Sequence, residues 1–288
     1  MNQEHQNWGV ESLWEELEPQ LPGLSIEVLA SVGSTNTALI ERLRKDEQQH
    51  RDDSRSSRDN PYGRRQYDLQ PCLLVAEQQT HGRGRMGRVW HSSPGASLTF
   101  SLALPLTVPD WSGLSLVVGC AIAEALEPGT DAAPQLQLKW PNDLWLDGRK
   151  LGGLLIETVP VGNRRMAVVG VGLNITPDAA NPDANFATGF ACLNELLPGL
   201  DAPAVLKRVA PALLAALNGF ASGGFAAWQA AFARRDLLAG KNVTAGNQEG
   251  QALGVNARGE LLLQTAQGVQ AIIGGEVSVR LNEQSSEQ

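Results

Sequence analysis

Three glycines and three arginines fall within the seven residues from Gly82 to Arg88, inside a longer polar stretch that runs from Glu77 to Trp90. Such a composition can neither fill a core nor continue a helix, so it reads as a ligand loop. Glycine lets backbone N–H groups come close to an anion, and arginine supplies a planar fork of donors that matches carboxylate or phosphate oxygens. A solvated basic loop has the same composition. The segment lacks the Gly-Lys-Ser/Thr ending of a P-loop, and its glycines miss the dinucleotide-binding spacing, so generic phosphate motifs do not account for it.

A second constellation, Lys139, Trp140, Pro141, Asn142 and Asp143, sits where one strand ends and another, Leu144 to Leu146, begins. Proline stops a strand ladder and Asn-Asp favours a turn, so Trp140 and Pro141 are accounted for by a hairpin corner with an aromatic core anchor. Lys139, Asn142, Asp143 and the nearby Lys150 are less easily explained that way, because a cation held at a strand end often meets an anionic ligand. Spacing alone leaves both readings open.

The elements that must hold these groups follow from periodicity. Ile26–Ala30 reads as a strand, followed by a helix whose start offers Ser34, Thr35 and Asn36, each a good N-cap. Arg44 to Gln70 has almost nothing to bury and predicts a disordered insertion. Strands are predicted at Cys72–Ala76 and at Ser97–Leu104, the latter alternating at period two with one face buried. Leu114 to Ala125 places its apolar residues on one helical face. Leu136–Trp140, Gly152–Val159 and Met166–Ile175 supply further strands, the last apolar enough to be central. Helices are predicted at Ala204–Phe220, broken or kinked at Pro211, and at Phe225–Arg235. Beyond Leu238, short strands punctuated by glycine have the spacing of a small β-barrel. The expected organisation is α+β, a mixed sheet flanked by helices with a small C-terminal barrel. Its parts are a short segment 1–24, a large domain 25–237 containing the insertion 44–70, a small domain 238–281 and a tail 282–288.

Composition narrows the function classes. A chain of 288 residues with 42% hydrophobic content can bury a real core. No signal peptide is evident and no apolar run approaches the ~18 residues of a membrane span, which predicts a cytoplasmic protein without a membrane partner. Cys72, Cys120 and Cys192 are far apart in small or apolar surroundings and suit reduced packing residues rather than disulfides or a zinc site; no metal ligands are expected. A net charge of -8 argues against a surface devoted to nucleic acid.

The blocks EQQTHGRGRMGRVW, HSSPGASLTFSL, LKWPNDLWLDGRKLGGLLIE and VVGVGLN, in that order and spacing, are similar to those of biotin-protein ligases, the biotin-[acetyl-CoA-carboxylase] ligases. The resemblance is strong from about Ser31 to Asn174. It continues weakly to the end, where KNVT and GGEVSVR resemble the family's SH3-like C-terminal domain. It implies that biotin and ATP, the latter with Mg2+, form biotinyl-5'-AMP, and that a lysine of a biotin carboxyl carrier protein then takes the biotin. Residue by residue, Ser34, Thr35, Asn36 and Gln79 resemble the group at the biotin ureido head, the first three also being simple helix-capping types. Arg83, Gly84 and Arg85 match the loop over biotin and the adenylate, and Lys150 matches the lysine that reaches the same oxygens. Trp90 would wall the pocket, Asn142 and Asn174 would read adenine, and Gly170 and Gly172 would leave room for the nucleotide. Asp143 would orient or deprotonate the acceptor lysine, or else serve structure alone. The resemblance allows a homodimer.

Met86, Val89 and His81 depart from the family pattern, Met86 costing the loop a positive charge. The first 24 residues are too few for a winged helix-turn-helix, which needs roughly 60, so a ligase without repressor function is expected. A mobility-shift assay with a biotin-operator duplex should accordingly show no specific retention; tight, sequence-specific retention would overturn this. A lipoate-protein ligase or octanoyl transferase of the same fold is the nearest alternative, and a non-catalytic biotin sensor is one of a different class.

Overall fold

The structure, a computed structural model, describes residues 6–56, 70–128, 132–161, 164–178 and 189–279, with the backbone alone for 46–56. Its centre is a seven-stranded mixed sheet. In chain order the strands are β1 (Ser25–Val32), β2 (Cys72–Gln79), β5 (Ser97–Pro105), β6 (Leu136–Lys139), β7 (Asp143–Leu146), β8 (Arg149–Val161) and β9 (Arg164–Asn174). The two short strands β3 (Gly82–Arg83) and β4 (Val89–Trp90) pair with each other outside it. Across the main sheet the order is β1-β2-β5-β9-β8-β7-β6, which places β9 in the middle as its unbroken apolar run predicts. Only β1 and β2 run parallel, with Val32 opposite Gln79. The next backbone bonds, from Thr80 N to Val32 O and from His81 N to Gly33 O, draw the two strand exits together.

Helices cover both faces. The helix α2 (Thr35–Ser56) lies on one, where Leu39, Ile40 and Leu43 pack with Leu74, Ala103, Val159, Met166 and Val168. On the other, α3 (Leu114–Leu126) and α4 (Ala202–Gly223) bury Val117, Ile122, Leu206, Leu213 and Phe220 against Leu98, Phe100 and Leu102. An N-terminal helix, α1 (Val10–Leu17), adds Leu13 and Leu17 to that second core, and α5 (Gln229–Arg235) adds Phe232.

Three expectations are corrected. The period-two pattern of Ser97–Leu104 implied one buried face, yet the whole stretch is buried because helices or site loops cover both sides of β5. The helix α2 does not give way to a loop at Arg44 but continues to Ser56. Glu, Lys, Arg and Gln lack apolar surface but are good helix formers, and this explains the extension; residues 57–69 of the expected insertion lie outside the described residues. Finally, α4 runs unbroken through Pro211, and by length and composition it alone among the described residues could cross a membrane. It is a core helix. Val205, Leu206 and Val209 before Pro211 and Leu213, Leu214, Leu217 and Phe220 after it are buried, and that packing outweighs the hydrogen bond a proline cannot donate.

The C-terminal strands β10 (Asn242–Ala245), β11 (Gln248–Val255), β12 (Leu261–Thr265), β13 (Gly268–Ile272) and β14 (Val277–Val279) form an antiparallel sheet in the order β13-β12-β11-β10-β14. Among the described residues its edges β13 and β14 are not paired with each other, so the sheet is not closed there. It sits directly on the large domain: Trp140, 2% exposed, donates its indole N–H to Gly259 O at 2.9 Å, the anchor role its sequence position implies.

Candidate active site

The exits of β1 and β2 and the start of α2 create the first cluster. Parallel pairing puts Gln79 beside the helix start, where its Oε1 accepts from Thr35 N at 2.8 Å and contacts Thr35 Oγ1 at 3.1 Å. Ser34, Thr35 and Asn36 are all buried, which a mere cap would not require. Ser101, on the face of β5 that its sequence pattern assigned to solvent, contacts Thr35 Oγ1 at 2.7 Å and donates to Asn36 Oδ1 at 2.6 Å. The amide of Asn36 donates in turn to Leu155 O and to Glu157 Oε2, both at 3.0 Å. Neither Ser101 nor Glu157 stood out in the sequence. Glu157 had a signal available, since it is a charged residue directly after the apolar run LGGLLI.

Two glycines on β9 make this packing feasible. A Cβ on Gly170 would lie 2.2 Å from Asn36 Oδ1, and one on Gly172 would lie 2.6 Å from the Trp90 ring. Both positions face the same side of the strand, as alternation requires. Gly170 therefore makes room for Asn36 and belongs with the first cluster, whereas Gly172 makes room for the Trp90 wall.

The Gly-Arg loop folds over this end of the sheet. Gly84 N donates to Arg88 O at 2.7 Å, and Met86 and Gly87 both adopt left-handed backbone conformations, with φ of 54° and 76°. A non-glycine residue there costs about 1–2 kcal/mol. Met86 is 73% exposed, so its side chain lies at the surface of the loop. Arg83 points back to Glu157, its Nη2 2.9 Å from Oε1, and to Thr37 Oγ1 at 3.0 Å from Nη1. Arg85 instead reaches the second constellation, with Nη1 3.3 Å from Asn142 Oδ1. Arg88 pairs with Glu276 of the C-terminal unit.

The hairpin β6–β7 sets Lys139 opposite Asp143, and the adjoining strand brings Lys150 alongside, with Nζ 2.8 Å from Asp143 Oδ1. Gly153 leaves space for that pair, its Cβ position lying 3.3 Å from Asp143 Oδ1 and 3.5 Å from Lys150 Nζ. Lys139 lies 4.9 Å from the Trp145 ring centroid. Burial pushes its ammonium below the usual lysine range; Asp143 opposes that shift, and Lys150 and Arg88 add to it. Asn142 is fixed by donation to Leu154 O at 2.8 Å, and Asn174 by donation to Ala191 O at 3.2 Å.

Beyond Trp90 a cleft opens, lined by Trp90, Ser93, Asn174, Thr176, Asp178 and Phe190 among others. The Trp90 indole N–H is buried there without an acceptor among the described residues, which is how a donor kept for a ligand or water is placed. The cysteines take no part. Burial, reinforced by Glu124, pushes the Cys120 thiol up to about 12, and burial with Glu195 pushes Cys192 up to about 11, so neither is a ready nucleophile.

The arrangement thus combines a buried polar cluster, glycines in place of side chains on β9, an aromatic wall and a cluster of cations. It can hold a small polar head at one end and anionic oxygens at the other. Comparison with known proteins agrees. Residues 63–174 match the biotin/lipoate A/B protein ligase family and residues 240–280 the biotin protein ligase C-terminal domain. The chain is 32% identical to the bifunctional ligase/repressor BirA of Escherichia coli, over 91% of this chain and 76% of that protein. It is 30% identical to a biotin–[acetyl-CoA-carboxylase] ligase of Paracoccus denitrificans, over 71% of this chain and 88% of that one. Among solved structures, a biotin protein ligase from Aquifex aeolicus in complex with biotin and ATP superposes with a TM-score of 0.67 at 29% identity, covering 89% of this chain and 98% of its own.

Proposed function

The chain belongs to the biotin protein ligase family, and from that premise we infer how its residues divide the work of joining biotin to a carrier-protein lysine with ATP. A biotin carboxylate oxygen attacks the α-phosphorus of ATP, and the bond to pyrophosphate breaks. The lysine amine of a biotin carboxyl carrier domain then attacks the acyl carbon of biotinyl-5'-AMP, losing a proton as AMP leaves. Neither step needs a covalent enzyme intermediate, so positioning and charge stabilisation carry the catalysis.

In this reading Thr35, Asn36, Gln79 and Ser34 form the ureido end of the biotin pocket. Gly84 lets the loop backbone approach the acyl chain, and Arg83 holds the loop down. Arg85 and Lys150 face the carboxylate and α-phosphate oxygens where negative charge accumulates. Trp90, Gly172, Asn142 and Asn174 frame the nucleotide, and Mg2+ arrives as part of the ATP substrate. Asp143, by its pairing with Lys150, holds the ammonium in place. The observation that carries this assignment is the Arg85–Asn142 contact, which unites two sequence blocks in one site. The setting we place it in is the cytoplasm, in keeping with three free, buried cysteines. Specific DNA binding has no part in this reading.

ATP–pyrophosphate exchange tests the reading. Labelled pyrophosphate should enter ATP when biotin is present and remain at background with lipoate. Exchange with lipoate alone would select the lipoate ligase alternative, and no exchange with either would overturn the reading in favour of the octanoyl transferase or the non-catalytic sensor.

A further inference from the structure

The hydrogen-bond capacity of Asn36 is nearly exhausted within the protein. Both N–H groups of its amide are used, one on Leu155 O and one on Glu157 Oε2, and its oxygen already accepts from Ser101. At 3% exposure it has little freedom to turn. A side chain so occupied does less to read a ligand directly than to fix the walls around one. The carboxylate that occupies it, Glu157, also grips the loop: Oε1 takes Arg83 Nη2 at 2.9 Å, and Oε2 lies 3.4 Å from Nη1. Glu157 thus touches the helix start and the Gly-Arg loop at once, although these lie 121 and 74 residues away in sequence.

We propose that Glu157 is a positioning residue that couples the ureido end of the biotin pocket to the anion loop, holding Asn36 with Oε2 and the Arg83 fork with both oxygens. The proposal rests on the biotin ligase reading. It gives Arg83 a different task from Arg85, because both Nη atoms of the Arg83 fork are already engaged by Glu157 and Thr37, whereas Arg85 contacts a neutral amide. Biotin seated against Thr35 and Asn36 stabilises the Glu157 orientation that also retains Arg83, so the biotin end of the site and the loop support each other.

Steady-state exchange kinetics test this. Glu157→Gln keeps the size and one acceptor oxygen but loses the charge that grips Arg83. The expected result is a biotin KM raised about tenfold, with the ATP KM and kcat at saturating biotin within about twofold of wild type. A purely structural residue would instead lower the melting temperature and the active fraction, without singling out biotin. In an Arg83→Gln background the Glu157→Gln change should add less than about twofold to the biotin KM, the non-additivity expected of partners in one contact. A biotin KM within twofold of wild type in Glu157→Gln, or factors that multiply in the double variant, would overturn the proposal. Should the glutamine variant fail to fold by circular dichroism, Glu157→Asp decides in its place, since the shorter arm keeps the charge but cannot span both partners. A wild-type protein without biotin-dependent exchange would count against the functional reading, not against this coupling.

Discussion

Replacing Lys150 with alanine is expected to reduce biotin-dependent ATP–pyrophosphate exchange by about 100-fold to 1,000-fold, the range seen when one preorganised charge-stabilising donor is removed. The ammonium stands 2.8 Å from Asp143 Oδ1, and its side chain is 22% exposed. One of its three N–H groups serves Asp143, leaving two for ligand oxygens. As the carboxylate attacks, charge moves onto the α-phosphate oxygens, so the interaction lost is one that strengthens in the transition state. The loss should therefore fall on kcat more than on either KM. Lys150→Arg should recover little of it, because a planar fork cannot place its charge where a compact ammonium sits beside Gly153. Asp143→Asn keeps the cation and should cost less than Lys150→Ala. Exchange by Lys150→Ala within fivefold of wild type, from protein that melts normally, would remove Lys150 from the chemistry.

The parts of this site that could be read from sequence are those in which residue type and function coincide. Gly82–Arg88 combines backbone freedom with charge, and few structures other than a ligand loop need both. The start of α2 was legible because Ser34, Thr35 and Asn36 are capping types wherever they are used. Ser101 was not, because a serine alternating with leucine along a strand has the pattern of an exposed face. Only the arrival of α2 and the loop over β5 reverses its environment, and that is a property of the topology. Glu157 was hidden likewise, since its importance comes from reaching two segments distant in sequence. The length of α2 was not legible because low hydrophobicity and low helix propensity are different quantities: Arg44, Lys45, Glu47, Gln48, Gln49 and Arg51 are polar yet good helix formers.

The largest effect on stability is expected at Arg235, far from the chemistry. Its guanidinium is 5% exposed and binds Glu127 Oε2 at 2.8 Å, Leu136 O at 2.9 Å and Glu127 O at 2.8 Å. Glu127 in turn receives the backbone N–H groups of Gln135 and Leu136, at 2.8 and 3.0 Å. These bonds fasten the end of α3, the start of β6 and the end of α5 to one another, in a place where apolar contacts alone would leave several backbone groups unpaired. Arg235→Met keeps the bulk but strands the carboxylate and two carbonyls, a loss of about 3–5 kcal/mol for a buried pair broken from one side. At about 2–4 °C per kcal/mol for a chain of this class, the melting temperature should fall by roughly 6–20 °C. Adding Glu127→Gln to that variant should restore part of it, since the uncompensated charge is then gone. Acid should act in the same direction. Burial raises the pKa of Glu127, but its hydrogen bonds from Gln135, Arg235 and Leu136 outweigh this and hold it below the ordinary value. A depressed carboxyl contributes its full stability above the unfolded-state pKa and loses it as pH falls through the folded-state value. The wild-type melting temperature should thus drop on acidification below about pH 4.5 by more than that of Glu127→Gln, where no carboxyl remains to titrate. A drop of less than 3 °C for Arg235→Met at neutral pH would show that the surrounding packing, and not this ion pair, fastens β6 to the helices.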